Sequence, residues 1–121
     1  MKKNNQALGK QFLAELYKCE PEILNNMDII AAVLCQAAEI SGATVIDKKF
    51  HKFSPQGISG LVLISESHLA IHTWPEHNFA SVDLFTCGSK FDSGLCIKFI
   101  QDKLKSKKSK ITKIDRGVLP T

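Results

Sequence analysis

One stretch constrains this chain more than any other: Ile64-Ser65-Glu66-Ser67-His68-Leu69-Ala70-Ile71-His72-Thr73-Trp74-Pro75-Glu76. Before it runs the apolar Leu61-Val62-Leu63-Ile64, and after the polar centre Leu69, Ile71 and Thr73 alternate. Both patterns read as strands. The junction between them is Glu66-Ser67-His68, three polar residues where a buried strand favours none, and buried polar groups need partners. An ordinary tight turn uses Gly, Asn or Asp. This one offers a carboxylate, a hydroxyl and an imidazole, so the chemistry is expected here.

The rest of the chain supplies a scaffold of the same period. Leu8 to Leu16 reads as a first strand, with Leu8, Phe12, Ala14 and Leu16 on one face and Lys10 as the exception. Lys18 to Pro21 is a turn. From Asn26 to Ile40 the spacing changes to three and four (Met27, Ile30, Val33, Leu34, Ala37, Ala38), which is a helix, and Gly42 stands where a left-handed stop belongs. Ala43–Phe53 and Ser59–Ser65 are strands separated by Ser54-Pro55-Gln56-Gly57, with Gly60 marking a bulge or a close approach. His68–Trp74 and Phe79–Thr86 follow as strands around a turn at Pro75-Glu76-His77-Asn78. Asp92 or Ser93 caps a second helix carrying Leu95, Cys96, Phe99, Ile100 and Leu104, and Ser109–Asp115 forms a short last strand. The expected fold is α+β: one domain, residues 1–121, with an antiparallel sheet and two helices on one face. The other face then needs a cover, and dimerisation through it is expected.

Composition narrows the function. At 121 residues and 44% hydrophobic content a single modest core is expected. No stretch reaches the ~18 apolar residues of a membrane span. The basic start Met1-Lys2-Lys3-Asn4-Asn5 leads into no apolar signal core, so a cytoplasmic protein is expected. Much of the net charge of +4 lies in six lysines between Lys103 and Lys113, read as a solvated helix end and linker. The sole arginine is Arg116, and without arginine or aromatic interleaving no nucleic-acid partner is expected. Cys19, Cys35, Cys87 and Cys96 are too scattered for a zinc ribbon or redox pair. Cys35 sits on the apolar side of its helix, whereas Cys87, next to Gly88 at a strand end, can reach a cleft.

Three chemistries compete for the central stretch. His68 and His72 suit a zinc pair only on a helix; on a strand four residues span ~13 Å, too far to share an ion, and no metal is expected. Ser67, His72 and Asp83 supply the residue types of a hydrolase triad, but no Gly-x-Ser-x-Gly elbow is present. The third uses Ser67 against its own backbone. Its hydroxyl attacks the preceding carbonyl, the amide becomes an ester, and a base at the α-hydrogen eliminates it. The chain breaks, and the new terminus can become a ketoacyl group, an electrophile and electron sink.

The segment Glu66 to Glu76 resembles the self-cleavage segment of prokaryotic, pyruvoyl-dependent S-adenosylmethionine decarboxylases. So do His51-Lys52-Phe53-Ser54-Pro55-Gln56-Gly57-Ile58-Ser59-Gly60 and Asp83-Leu84-Phe85-Thr86-Cys87-Gly88, as well as Leu8-Gly9 and Leu16-Tyr17-Lys18-Cys19. The resemblance implies cleavage between Glu66 and Ser67 into a β chain, 1–66, and an α chain, 67–121, that begins with the pyruvoyl group. It implies that His72 removes the serine α-hydrogen, that Ser59 assists maturation, and that Cys87 reprotonates the substrate after carbon dioxide leaves. Phe53 is implied to stack on adenine and Glu76 to bind the ribose hydroxyls, with Trp74 as a second pocket wall or a core residue. A flat aromatic suits a purine face beside a sulfonium charge, and a carboxylate accepts two hydroxyl hydrogens. The implied reaction forms a Schiff base with S-adenosylmethionine and yields the aminopropyl donor for spermidine, in a metal-free αββα homodimer. The segment Gly88-Ser89-Lys90-Phe91-Asp92-Ser93-Gly94 departs from the acidic residue and proline common in the family at this point. Two alternatives stand beside this expectation: the same chemistry on ornithine or arginine, and an unprocessed nucleoside-binding protein or partner subunit.

Overall fold

A helical period over residues 27–40, set between stretches of strand period, decides the architecture. The computed structural model describes residues 7–88 and 90–120; the basic stretch 1–5 and Ser89 lie outside the described residues. Six strands, β1 (Ala7–Tyr17), β2 (Val45–Lys52), β3 (Ile58–Ile64), β4 (Ser67–Trp74), β5 (Phe79–Cys87) and β6 (Lys108–Val118), form one sheet in the order β2-β3-β4-β5-β1-β6. Every neighbouring pair is antiparallel. The helices are α1 (Pro21–Leu24), α2 (Met27–Ile40) and α3 (Ser93–Lys103). This is the expected α+β class.

Local chemistry explains each boundary. Asn26 caps α2 by accepting a hydrogen bond from Ile29 N (3.1 Å), and Gly42 follows its end at φ 108°, a conformation that favours glycine. Asp92 does the same for α3, accepting from Leu95 N at 3.0 Å. Gly60 is the close approach anticipated from its place in a strand: it lies opposite Phe50, whose ring fills the space that a Cβ would need. Along β4, Ser67, Leu69, Ile71 and Thr73 point to the covered face; along β5, Ala80, Val82, Leu84 and Thr86 do. Leu16, Leu69, Ile71 and Leu84 meet Ile30, Leu34, Ile100 and Leu104 in a core where all eight are fully buried. Each contributes roughly 1.5–3 kcal/mol.

Three details differ from the sequence reading. The turn after Lys18 leads into the one-turn helix α1, tied to the sheet by Thr73, whose Oγ1 donates to Leu24 O (2.8 Å) and accepts from Ile58 N (2.9 Å). Leu95 does not join the apolar stripe of α3; Ile97 does, because the helix phase set by Cys96, Ile100 and Leu104 turns position 95 outward. The lysine run is no linker beyond Lys107: it enters β6, a full edge strand along β1, where lysines guard the open edge against further pairing.

Among the described residues no helix covers the opposite face of the sheet. Leu61, Leu63, Trp74, Tyr17 and Ile114 are exposed, and strand alternation places them on that open side. Among the described residues no helix is long and apolar enough to cross a membrane.

Candidate active site

At one end of the sheet, β3 returns as β4 through only Ser65 and Glu66, with Ile64 paired to Ser67. Glu66 has φ 63°, a left-handed conformation that a tight turn ordinarily gives to Gly or Asn. Holding a glutamate there stores on the order of 1–3 kcal/mol. The turn is anchored on both sides of Ser65: its N–H donates to Thr44 O (3.0 Å) and its Oγ accepts from Thr44 N (3.3 Å). Ser67 follows, 8% exposed. It lines a pocket of about 430 Å³ with Ser65, Glu66, Cys87, Gly88 and Phe91. The structure therefore brings Ser67 and Cys87 into one pocket at the turn that the sequence singled out. Ser65 and Phe91 are additions; Phe91 comes from distant chain, and no local pattern marks it.

The remaining candidates gather at the far end of the same sheet. Ser59 and His72 face each other in register, and Ser59 Oγ lies 2.8 Å from His72 Nδ1. The His72 ring neighbours Trp74 (6.2 Å between centroids), Trp74 neighbours Phe79 (5.4 Å), and Phe79 neighbours Tyr17 (5.3 Å). These rings line the open face. Trp74 is thus neither a core residue nor a wall of the Ser67 pocket. Phe53 is exposed just beyond β2, its ring edge-on to His51 at 4.6 Å, and Glu76 is exposed on a single 3-10 turn, Pro75–His77.

The two groups lie far apart within one chain. Ser67 and His72 are five residues apart on one strand, which at 3.3–3.4 Å per residue is about 17 Å. His72 does not reach the Ser67 α-hydrogen of its own chain. The Ser67-His72-Asp83 triad is also not assembled, since the partner of His72 is Ser59 and Asp83 pairs with Ala70. His68 stacks on Phe85 at 5.6 Å. Among the described residues no group of three or more His, Cys, Asp or Glu is placed to hold a metal ion.

Burial sorts the thiols. It pushes Cys96, at the centre of the core, up to about 12, and it raises Cys19 as well, so both stay neutral. Cys35 is half-buried against the core and Cys87 half-buried at the pocket. A larger cavity, about 620 Å³ beside Tyr17, Lys18 and Lys107, holds none of the candidate catalytic side chains.

A singly covered antiparallel sheet with a serine, a thiol and a carboxylate at its end defines a small two-layer α+β enzyme. The chain belongs to the S-adenosylmethionine decarboxylase family, whose model matches residues 10–117. It is 48% identical over 112 residues to the S-adenosylmethionine decarboxylase proenzyme of Caldicellulosiruptor saccharolyticus, covering 93% of this chain and 90% of that one. The proenzyme of the same name from Clostridium kluyveri is 50% identical over 111 residues, covering 92% and 88%. Among solved structures, the adenosylmethionine decarboxylase of Aquifex aeolicus superposes with a TM-score of 0.88 at 31% identity, covering 95% of both chains.

Proposed function

We propose that this chain cuts itself between Glu66 and Ser67 and, as a dimer, decarboxylates S-adenosylmethionine with a pyruvoyl group made from Ser67. The observation that carries the reading is the Glu66–Ser67 peptide itself. It sits at a two-residue turn with Glu66 left-handed and the Ser67 side chain buried beside Cys87. Family membership supports the substrate, which is the one named for the relatives.

Ser67 Oγ attacks the Glu66 carbonyl carbon. The C–N bond breaks, the ester forms, and the freed amine takes the hydroxyl proton. Removal of the Ser67 α-proton then expels the Glu66 carboxylate, leaving residues 1–66 with an ordinary carboxyl end. The enamine at position 67 tautomerises, and water replaces its nitrogen as ammonia departs. Strain at Glu66 favours the first step because opening the turn relieves it. The base is His72, oriented by Ser59 through Nδ1 so that Nε2 is free for the proton.

That base belongs to a second copy of the chain. His72 lies about 17 Å from Ser67 along β4, and the exposed apolar face supplies a surface for stacking two sheets. A two-fold axis in the interface, running across the strands, sets the Ser67 end of one sheet against the His72 end of the other. The resulting αββα sandwich covers both open faces.

A pyruvoyl group at position 67 supplies an electrophilic carbonyl for the substrate amine and an electron sink for the departing carboxylate. The pocket of about 430 Å³ at Ser67 leaves room for it. Cys87 Sγ returns a proton to the substrate α-carbon. Phe53 stacks on adenine and Glu76 accepts the ribose hydroxyls, with Trp74 beside them. The product is the aminopropyl donor for spermidine.

Intact mass under denaturing conditions tests the reading. Two pieces, 1–66 and 67–121, are expected, with the second lighter by one ammonia than a peptide starting with serine. A single uncut chain that releases no carbon dioxide from S-adenosylmethionine overturns it.

A further inference from the structure

We propose that Asn25 is a positioning residue for the nucleoside: from the end of α1 it fixes the loop that presents Phe53, and it acts on the ligand only through that ring. The inference rests on the assignment of Phe53 to adenine under the proposed function. Its starting point is a contrast within the hairpin between β2 and β3. Residues 51–56 are all exposed, whereas Gly57 and Ile58 are buried. Phe53 is 48% exposed, stands edge-on to His51 and lies outside the apolar core. Apolar packing therefore does not aim this ring; the backbone that carries it does.

A chain of hydrogen bonds holds that backbone. Phe53 N donates to Gly57 O (2.8 Å), closing the loop over Ser54, Pro55 and Gln56. Gly57 N donates in turn to Asn25 Oδ1 (3.0 Å), a bond between residues 32 apart in sequence. At the next residue, Ile58 N donates to Thr73 Oγ1 (2.9 Å), whose own hydrogen goes to Leu24 O (2.8 Å). Both ties end at the C-terminus of α1, on Leu24 and its cap Asn25. Gly57 has little room to shift: its φ is 105°, and a Cβ there would come within 3.2 Å of Thr73 O. Thr73 secures the first residue of β3. Asn25 secures the loop residue whose carbonyl receives Phe53 N.

The neighbouring asparagine sharpens the assignment. Asn26 has the same side chain, yet it accepts from Ile29 N within its own helix. One amide caps a helix; the other crosses to a solvated loop and orders it. Truncating Asn25 leaves the buried Gly57 N–H without its acceptor, and the loop gives up its shape to find water. A ligand must then order the loop itself, which weakens binding.

Calorimetric titration of the full chain with 5′-methylthioadenosine, a nucleoside without the amino-acid part, tests the inference whether or not the chain cuts itself. Asn25→Ala should weaken binding by about 2–12-fold, the range that one hydrogen bond spans. Asn25→Asp keeps an acceptor oxygen and should bind within about twofold of the native chain, at physiological salt that screens the nearby Glu22 and Asp28. Asn26→Ala should lower Tm and leave affinity unchanged, which separates positioning from lost stability. In the Phe53→Ala chain, adding Asn25→Ala should change affinity by less than about twofold, because the ring through which it acts is gone. Asn25→Ser, whose hydroxyl falls short of Gly57 N, gives the same reading if Asn25→Ala does not fold. Native affinity in Asn25→Ala, no recovery in Asn25→Asp, or an equal loss from Asn25→Ala with and without Phe53 overturns the inference and leaves the nucleoside reading standing. No saturable binding by the native chain, or native affinity in Phe53→Ala, overturns the assignment of Phe53 and this inference with it.

Discussion

The two ends of the sheet are built on opposite principles. At the Ser67 end a strained turn, a buried hydroxyl and a half-buried thiol line one pocket with residues from α2's end, β5 and the approach to α3. At the His72 end the side chains stand in the open: a hydrogen-bonded Ser59–His72 pair, a row of aromatic rings, an exposed phenylalanine and an exposed carboxylate. On the proposed reading, one end carries the bond to be cut with no base beside it, and the other carries a base and recognition groups with no bond to act on. Buried reactive groups need only their own fold, whereas an exposed, pre-oriented imidazole is useful to whatever docks against it. The difference teaches that, if the proposed chemistry holds, a single chain carries two half-sites.

The sharpest way to break this comparison is complementation. His72→Ala should abolish cleavage, as should Ser67→Ala, yet co-expressing the two chains should restore cleavage of the His72→Ala chain alone. Mass spectrometry of the mixture reads this, and failure to rescue would mean that the two ends do not meet across a dimer. Next in size, Cys87→Ala should leave cleavage intact while carbon dioxide release falls by roughly 10²–10⁴-fold; unchanged turnover would remove the thiol from the reaction. Phe53→Ala should raise KM for S-adenosylmethionine by about 3–12-fold, the worth of one aromatic contact, with kcat and cleavage little changed. A fall in kcat alone would place that ring at the chemistry instead. The smallest effect belongs to a residue in neither half. Asn26→Ala removes the α2 cap and should cost ~1 kcal/mol, seen as a Tm lower by a few degrees, with cleavage and turnover preserved.

Much of the layout is legible because local rules act alone there. The period of α2, its Asn26 cap and Gly42 stop, and the alternation of β4 and β5 are each decided within a few residues. What escapes is decided by separation and phase. Ser67 and His72 are five residues apart in the chain and look like neighbours, but on a strand that interval is nearly the full length of the element. The same arithmetic rules out His68 and His72 as ligands of one ion; applied to Ser67, it divides the site. Leu95 escapes because one position of helical phase turns it outward; the last strand is expected at Ser109–Asp115, and only its full length, Lys108–Val118, escapes until β1 is seen to pair along it. The left-handed Glu66 also carries no compositional mark, since glutamate is not a residue that announces such a turn.

The strand order has a consequence for the proposed cut in the backbone. Residues 1–66 contribute β1, β2 and β3, and residues 67–121 contribute β4, β5 and β6, yet in the sheet β1 lies between β5 and β6. The two products are therefore interlaced like clasped fingers. Parting them means tearing three seams, β3 from β4, β5 from β1 and β1 from β6, and emptying the shared core. A cut in the covalent thread at Glu66–Ser67 leaves the weave intact, so a new chain end can be placed in the interior of a molecule that never comes apart.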